Sequence, residues 1–200
     1  MTSAALARVP EAVLADLRRR YGEPGRHYHS WAHIEALLRW FAQRADTLND
    51  PDAVVLAILF HDAVYDARRS DNETLSAALL AATPLPGWSP ASIAAALRMI
   101  EATAGHQPPD GLTPEQASDL KIFLDMDLSI LGASPSVFAA YDRAIRREYR
   151  HVPWPIYGMA RKRILGGFLE RPALYFSDWG RETFETAARA NLQRKLGVHD

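Results

Sequence analysis

The sequence predicts an all-α protein, a helical bundle of about eight or nine helices around one core. Three observations predict it. Apolar residues recur at three- and four-residue spacing along most of the 200 residues, and no long stretch alternates with period two. Four polar-proline pairs punctuate the chain: Asp50-Pro51, Ser89-Pro90, Thr113-Pro114 and Ser134-Pro135. Each sets a capping side chain before the residue best tolerated in a first helical turn. Apolar content is 48% and cysteine is absent, which supports a sizeable core and excludes a disulfide scaffold or a Cys nucleophile.

The elements follow in order. Leu14, Leu17 and Tyr21 form the first apolar stripe, and Ile34, Leu37, Leu38 and Phe41 the second, with Ser30 as its expected cap. Val54, Val55, Ile58 and Leu59 follow the Asp50-Pro51 start. Leu75, Ala78, Leu79 and Ala82 are the expected buried face of the next helix, with Asp71 as its cap. Further helices are predicted over residues 90–102, 114–130, 135–150, 156–170 and 178–196. Thr113 has Gln116 three residues on, a capping box. The connectors at 22–29, 63–70, 83–88, 103–112 and 171–177 carry the Gly and Pro, and none reads as a flexible linker. Residues 1–200 are therefore expected to form a single domain, its core at about 20–175 with helix 178–196 packed on it.

Charge and hydropathy narrow the partners. The formal net charge is −1, so no global field draws the chain to nucleic acid or to a membrane. No apolar run approaches the ~20 residues of a membrane span. The start, "MTSAALARVPEAVLADLRRR", lacks the continuous apolar stretch of a secretory signal. With no cysteine, these features suit a reducing cytosol, and a cytoplasmic location is expected.

The chemistry-bearing residues are histidines and aspartates set among apolar neighbours. His29 and His33 in "RHYHSWAHI" lie one helical turn apart and can share a face. "LFHDAVYD" ends an apolar run with His61-Asp62. Seven His and fourteen Asp make roughly half a chance His-Asp pair in a chain of this length, and the sequence also ends in His199-Asp200. The dipeptide alone therefore decides nothing. A core-facing Asp with no partner is costly, so the pair at 61–62 needs an explanation that the terminal pair does not. In "IFLDMDLSILG", Asp125 and Asp127 interrupt seven apolar residues in the same way.

In that order on helices, "HYHSWAHI", "LFHDAVYD" and "LDMDLSILG" resemble the HD superfamily of metal-dependent phosphohydrolases. The likeness is nearest to a subgroup of small bacterial predicted HD phosphohydrolases, and "EPGRHYHSWAHI", "FHDAVYDARRSDNETLSA" and "YDRAIRREY" share its pattern. It spans residues 20 to 175. The resemblance implies an HD-type all-α fold and a metal held by His33, His61, Asp62 and Asp127. Asp127 is preferred to Asp125 because the family's ligand is usually the second carboxylate of such a pair, and Asp125 stays open as the alternative. Members with two metals generally carry two more His between the His-Asp pair and the last Asp. This chain has only His106 there, so one firmly bound divalent ion is expected.

Two imidazoles and two carboxylates suit Mn²⁺, Fe²⁺, Co²⁺, Ni²⁺ or Zn²⁺, with Mg²⁺ also compatible. Such an ion activates water and polarises phosphorus, so no covalent nucleophile is needed. The proton-transfer candidates are His29, Asp66 and Glu73. For Asp66 the competing reading is a turn residue, and for Glu73 a helix-dipole contact. The substrate-binding candidates are Arg26, His106, Arg146 and Tyr149. Residues 141–171 hold eight Lys or Arg against three Asp or Glu, with aromatics interleaved. An ordinary amphipathic helix, burying Phe138, Tyr141, Ile145 and Tyr149, competes with a phosphate pocket or a single-stranded nucleic-acid surface there. The expected activity is that of a phosphomonoesterase, phosphodiesterase or nucleotidase on a small phosphorylated substrate, nucleotides included. A non-catalytic nucleotide-binding or regulatory HD module is the alternative. An HD-type di-iron oxygenase ranks lower, because its extra ligands are missing.

Overall fold

A computed structural model of the chain describes residues 4–198, so His199 and Asp200 lie outside the described residues. All regular structure among those residues is helical. Two compact units divide the chain, one up to Leu124 and one from Asp125 on.

The first unit is built around a helix with no solvent face. Helices α1 (Ala4–Ala7), α2 (Glu11–Tyr21), α3 (Trp31–Arg44) and α4 (Pro51–Phe60) lead into α5 (Asn72–Ala82), α6 (Pro90–Ala102) and the start of α7 (Pro114–Asp127). α4 packs against α1, α3, α5 and α6. Every residue from Ala53 to Phe60 is at most 1% exposed. Burying each Val, Leu, Ile or Phe of that run contributes about 1.5–3 kcal/mol. The expected start of α4 holds: the Asp50 carboxylate accepts from the Ala53 N–H at 2.9 Å. Asp119 on α7, itself buried, accepts from the backbone N–H of Asn49 and Asp50 at 2.9 and 2.7 Å and so fixes that start from outside.

The other expected caps divide. Ser89 accepts from Ala91 N–H at 3.2 Å, and Thr113 and Gln116 form the reciprocal capping box at 3.2 and 3.3 Å. Ser30, Asp71 and Ser134 precede helices as expected but make no side-chain cap hydrogen bond. Asp71 is taken instead by the Arg69 guanidinium, at 2.6 and 2.8 Å.

One expected face is wrong. α5 buries Asn72, Ser76, Ala77 and Leu80, while Leu75 and Leu79 are only half-buried and Ala78 and Ala82 are exposed. Polar contacts set its rotation. The Asn72 side chain donates to Asp66 O and accepts from Asp66 N–H, both at 3.0 Å. The Ser76 hydroxyl accepts from Val64 N–H at 3.1 Å and donates to Val64 O at 3.3 Å. Apolar periodicity could not register these partners in the preceding turn.

The second unit holds the end of α7, a 3₁₀ turn over Leu128–Gly132, α8 (Pro135–Glu148) and α9 (Trp154–Leu169). The expected helix 178–196 is a continuous run of three pieces: α10 (Asp178–Gly180), a π-helical turn over Arg181–Glu185 and α11 (Thr186–Leu196). α11 packs on α9 and on the Leu128–Gly132 turn, around Leu131, Leu165, Leu174, Tyr175, Phe184 and Leu192. The Tyr175 hydroxyl donates to Leu128 O at 2.9 Å, and the Asn191 amide donates to Leu131 O and Ala133 O, both at 2.8 Å. α8 buries Phe138 and Ile145 as expected, with Glu148 beside them, while Tyr141 and Tyr149 stay half-buried.

Candidate metal centre

Two helix ends of the first unit deliver three donor atoms to one point. α3 starts after an extended Ser30, which places His33 in its first turn, where the His33 N–H closes on Ser30 O at 3.0 Å. α4 delivers His61 and Asp62 as it ends. The His61 N–H still reaches Ala57 O at 2.9 Å, but Ala63 N–H turns to Phe60 O and Val64 N–H to Ser76. The helical pattern thus ends with His61, and Ala63 and Val64 turn the chain away just after the His61-Asp62 pair.

His33 Nε2 lies 3.2 Å from His61 Nε2, and Asp62 Oδ2 lies 3.1 Å from His61 Nε2 and 3.9 Å from His33 Nε2. Both imidazoles are buried, and the Asp62 side chain is 15% exposed. One donor atom from each residue falls within 4.8 Å of the others. The His61 Nδ1 atom lies 3.0 Å from Ile58 O. A carbonyl only accepts, so Nδ1 carries the proton and the neutral ring keeps its Nε2 lone pair for the cluster. The edge of Phe123 meets His61, with ring centroids 5.9 Å apart.

Burial opposes ionisation of Asp62, but the facing His61, His29 and His33 outweigh it and hold the carboxyl below the usual carboxylate range. The cluster therefore brings a carboxylate oxygen and two imidazole nitrogens to one point. That donor set fits a cation.

His29 belongs to the same neighbourhood. Its ring stacks on Tyr65 at 4.1 Å between centroids and lies 6.5 Å from that of His33, and Tyr28 touches both His29 and His33 at 5.0 and 4.8 Å. Sequence reasoning missed Tyr28 and Tyr65. Each sits in a quoted motif beside a His or Asp, but an aromatic there reads equally as core.

The remaining candidates have other surroundings. Asp66 is exposed and its Oδ1 accepts from Arg68 N–H at 2.9 Å, an Asx-type turn. Glu73 is half-buried in the first turn of α5. His106 lies in the connector after α6 with a φ of 44°, the one positive value at a non-glycine residue among the described residues. Arg26, expected to contact phosphate, instead has a side chain only 2% exposed, and its guanidinium donates to backbone carbonyls.

In the second unit, the Arg146 guanidinium donates to Tyr149 O and Val152 O at 2.7 and 3.1 Å and lies over the rings of Trp154 and Tyr157. It thus braces the corner between α8 and α9. Asp125 and Asp127 separate clearly. Asp125 is fully buried: Oδ1 accepts from Phe176 N–H at 2.8 Å, and Oδ2 from Ser177 N–H at 2.8 Å and the Ser177 hydroxyl at 2.6 Å. Burial pushes its carboxyl above the ordinary value against those donors. Asp127, half-buried, ends α7.

No family model matches the chain, and neither a curated protein nor a solved structure matches it at a significant level. No single helix among the described residues is long and apolar enough to cross a membrane.

Proposed function

We propose that the chain is a divalent-metal-dependent phosphohydrolase of the HD type, acting in the cytoplasm on a small phosphate ester or nucleotide. The observation that carries the reading is the convergence of His33 Nε2, His61 Nε2 and an Asp62 carboxylate oxygen at a largely buried point. In this reading His33, His61 and Asp62 hold one ion, and Asp127 is the fourth ligand that the resemblance implies. Asp127 is favoured over Asp125 because three protein donors already occupy the Asp125 carboxylate. Bound there, a divalent ion supplies Lewis acidity toward water and a phosphoryl group.

The chain's own residues do the rest. Ile58 O fixes the His61 ring so that Nε2 faces the cluster. His29, held by its stack on Tyr65 with its ring 6.5 Å from that of His33, is in this reading the group that would protonate a leaving oxygen. Asp66 is better accounted for by its turn than by proton transfer.

The test is metal analysis of the protein as isolated, followed by a nucleotide and phosphoester screen with that metal. Near-stoichiometric transition metal and phosphate release are expected. Protein that takes up no transition metal even when it is supplied would overturn the reading.

A further inference from the structure

Arg26 is a buried cation without a buried anion. Its side chain is 2% exposed, and the one carboxylate paired with it among the described residues, Glu23 at 3.6 Å, is itself 45% exposed. Burying a guanidinium is costly unless its donors are met. Three backbone carbonyls meet its two terminal nitrogens, while the buried Nε has no hydrogen-bond partner among the described residues. One terminal nitrogen donates to His29 O at 3.2 Å and Asp62 O at 2.6 Å, and the other to Ala63 O at 3.0 Å. The guanidinium carbon also lies over the rings of Tyr21 and Tyr65, 5.2 and 5.6 Å from their centroids.

These contacts share one target. Asp62 and Ala63 form the turn in which α4 gives up its ligands, and His29 lies in the segment just ahead of His33. Tyr21 adds to the grip, because its hydroxyl donates to Leu59 O at 3.0 Å. Tyr65 in turn stacks on His29. A planar fork of five donors is suited to gripping several carbonyls at once, which a single ammonium cannot do.

We infer that Arg26 is the positioning residue of the metal centre. It cross-links the His29 segment to the Asp62 turn and so sets the angle at which the ligands meet. The inference rests on the metal-centre reading above, but its test separates the two.

Arg26→Met and Arg26→Lys are compared with wild type in two ways. Amide hydrogen exchange is followed in metal-free protein, and Co²⁺ affinity is measured by chelator competition together with the visible Co²⁺ absorption spectrum. In Arg26→Met, exchange is expected to accelerate at least about 10-fold at residues 61–66 and 28–33 but not across α6. Co²⁺ affinity is expected to fall about 10- to 100-fold with a changed spectrum. Arg26→Lys keeps the buried charge and recovers only part of each effect. It also carries the test if Arg26→Met does not fold. Wild-type exchange and affinity in the folded variant would overturn the inference. So would faster exchange spread evenly over the unit with affinity unchanged, which would reduce Arg26 to general stability. Wild-type protein that binds no Co²⁺ would overturn the metal-centre reading, and the exchange pattern would then decide on Arg26 alone.

Discussion

His33 and His61 meet with their Nε2 atoms 3.2 Å apart, although 28 residues separate them in the chain. With Nδ1 of His61 committed to Ile58 O, a neutral His61 can only accept at that meeting point, and the Asp62 carboxylate beside it also only accepts. A cation bound there would satisfy both acceptors at once.

The first prediction concerns that cluster. His33→Ala, His61→Ala and Asp62→Ala should each lower metal affinity by more than about 100-fold, beyond the range set by neighbours that merely orient ligands. Metal content after gel filtration and chelator competition would measure it. Asp127→Ala should behave alike under the four-ligand reading. If it retains wild-type metal content, it removes Asp127 from the ligand set.

The second prediction separates Asp125 from that set. Asp125→Asn removes acceptor capacity facing three donors and should cost about 1–3 kcal/mol, read by urea unfolding, while bound metal stays. Gly180→Ala should cost a similar amount, because a Cβ there would lie 2.2 Å from Asp125 Oδ2. In the double variant the costs should fall short of their sum, since both act on one carboxylate.

The third prediction is a pH dependence at Tyr175. Burial pushes its phenol far above the ordinary value of 10, and nearby Asp125 and Glu185 push the same way. The native state thus holds a proton that the unfolded chain releases. The stability this group contributes is full below pH 10 and declines as pH rises beyond it toward the raised value. Tyr175→Phe should cost about 1 kcal/mol at neutral pH through the lost bond to Leu128 O and should flatten the alkaline loss of stability. Unfolding curves from pH 8 to 11 would show whether the slopes differ.

The fourth prediction concerns the helix stop. Ser76→Ala removes both partners of Val64 and should destabilise the first unit by about 1–3 kcal/mol. It should also loosen the turn after Asp62, read as faster amide exchange at Val64 and Tyr65. Protection equal to wild type there would refute the role given to Ser76.

How much of this was legible depends on how local each cause is. The Asp50 cap and the Thr113–Gln116 box act over three residues, and the sequence contains both partners side by side. The apolar run of α4 is visible as a run, and so is the polar pair that ends it. The face of α5 was not legible, because Asn72 and Ser76 bind a turn 6 and 12 residues away. Asp125 stood out as a carboxylate among apolar residues, but its partners Phe176 and Ser177 come 51 and 52 residues later. The surroundings of Arg26 were not legible for a related reason. A basic residue beside a His-rich motif suggests phosphate, and only the fold reveals that carbonyls 36 and 37 residues on accept from its terminal nitrogens.

The helix that ends in His61-Asp62 is enclosed on every side, and this ties chemistry to packing history. A surface helix can drift in sequence while its active end stays put. Here each neutral-looking exchange between Ala53 and Phe60 must be absorbed by its neighbours or passed along the axis to the donor atoms. The close-packed interior leaves little slack to absorb it. Lineages descending from this chain should therefore preserve the volume of that run as strictly as they preserve the donors themselves.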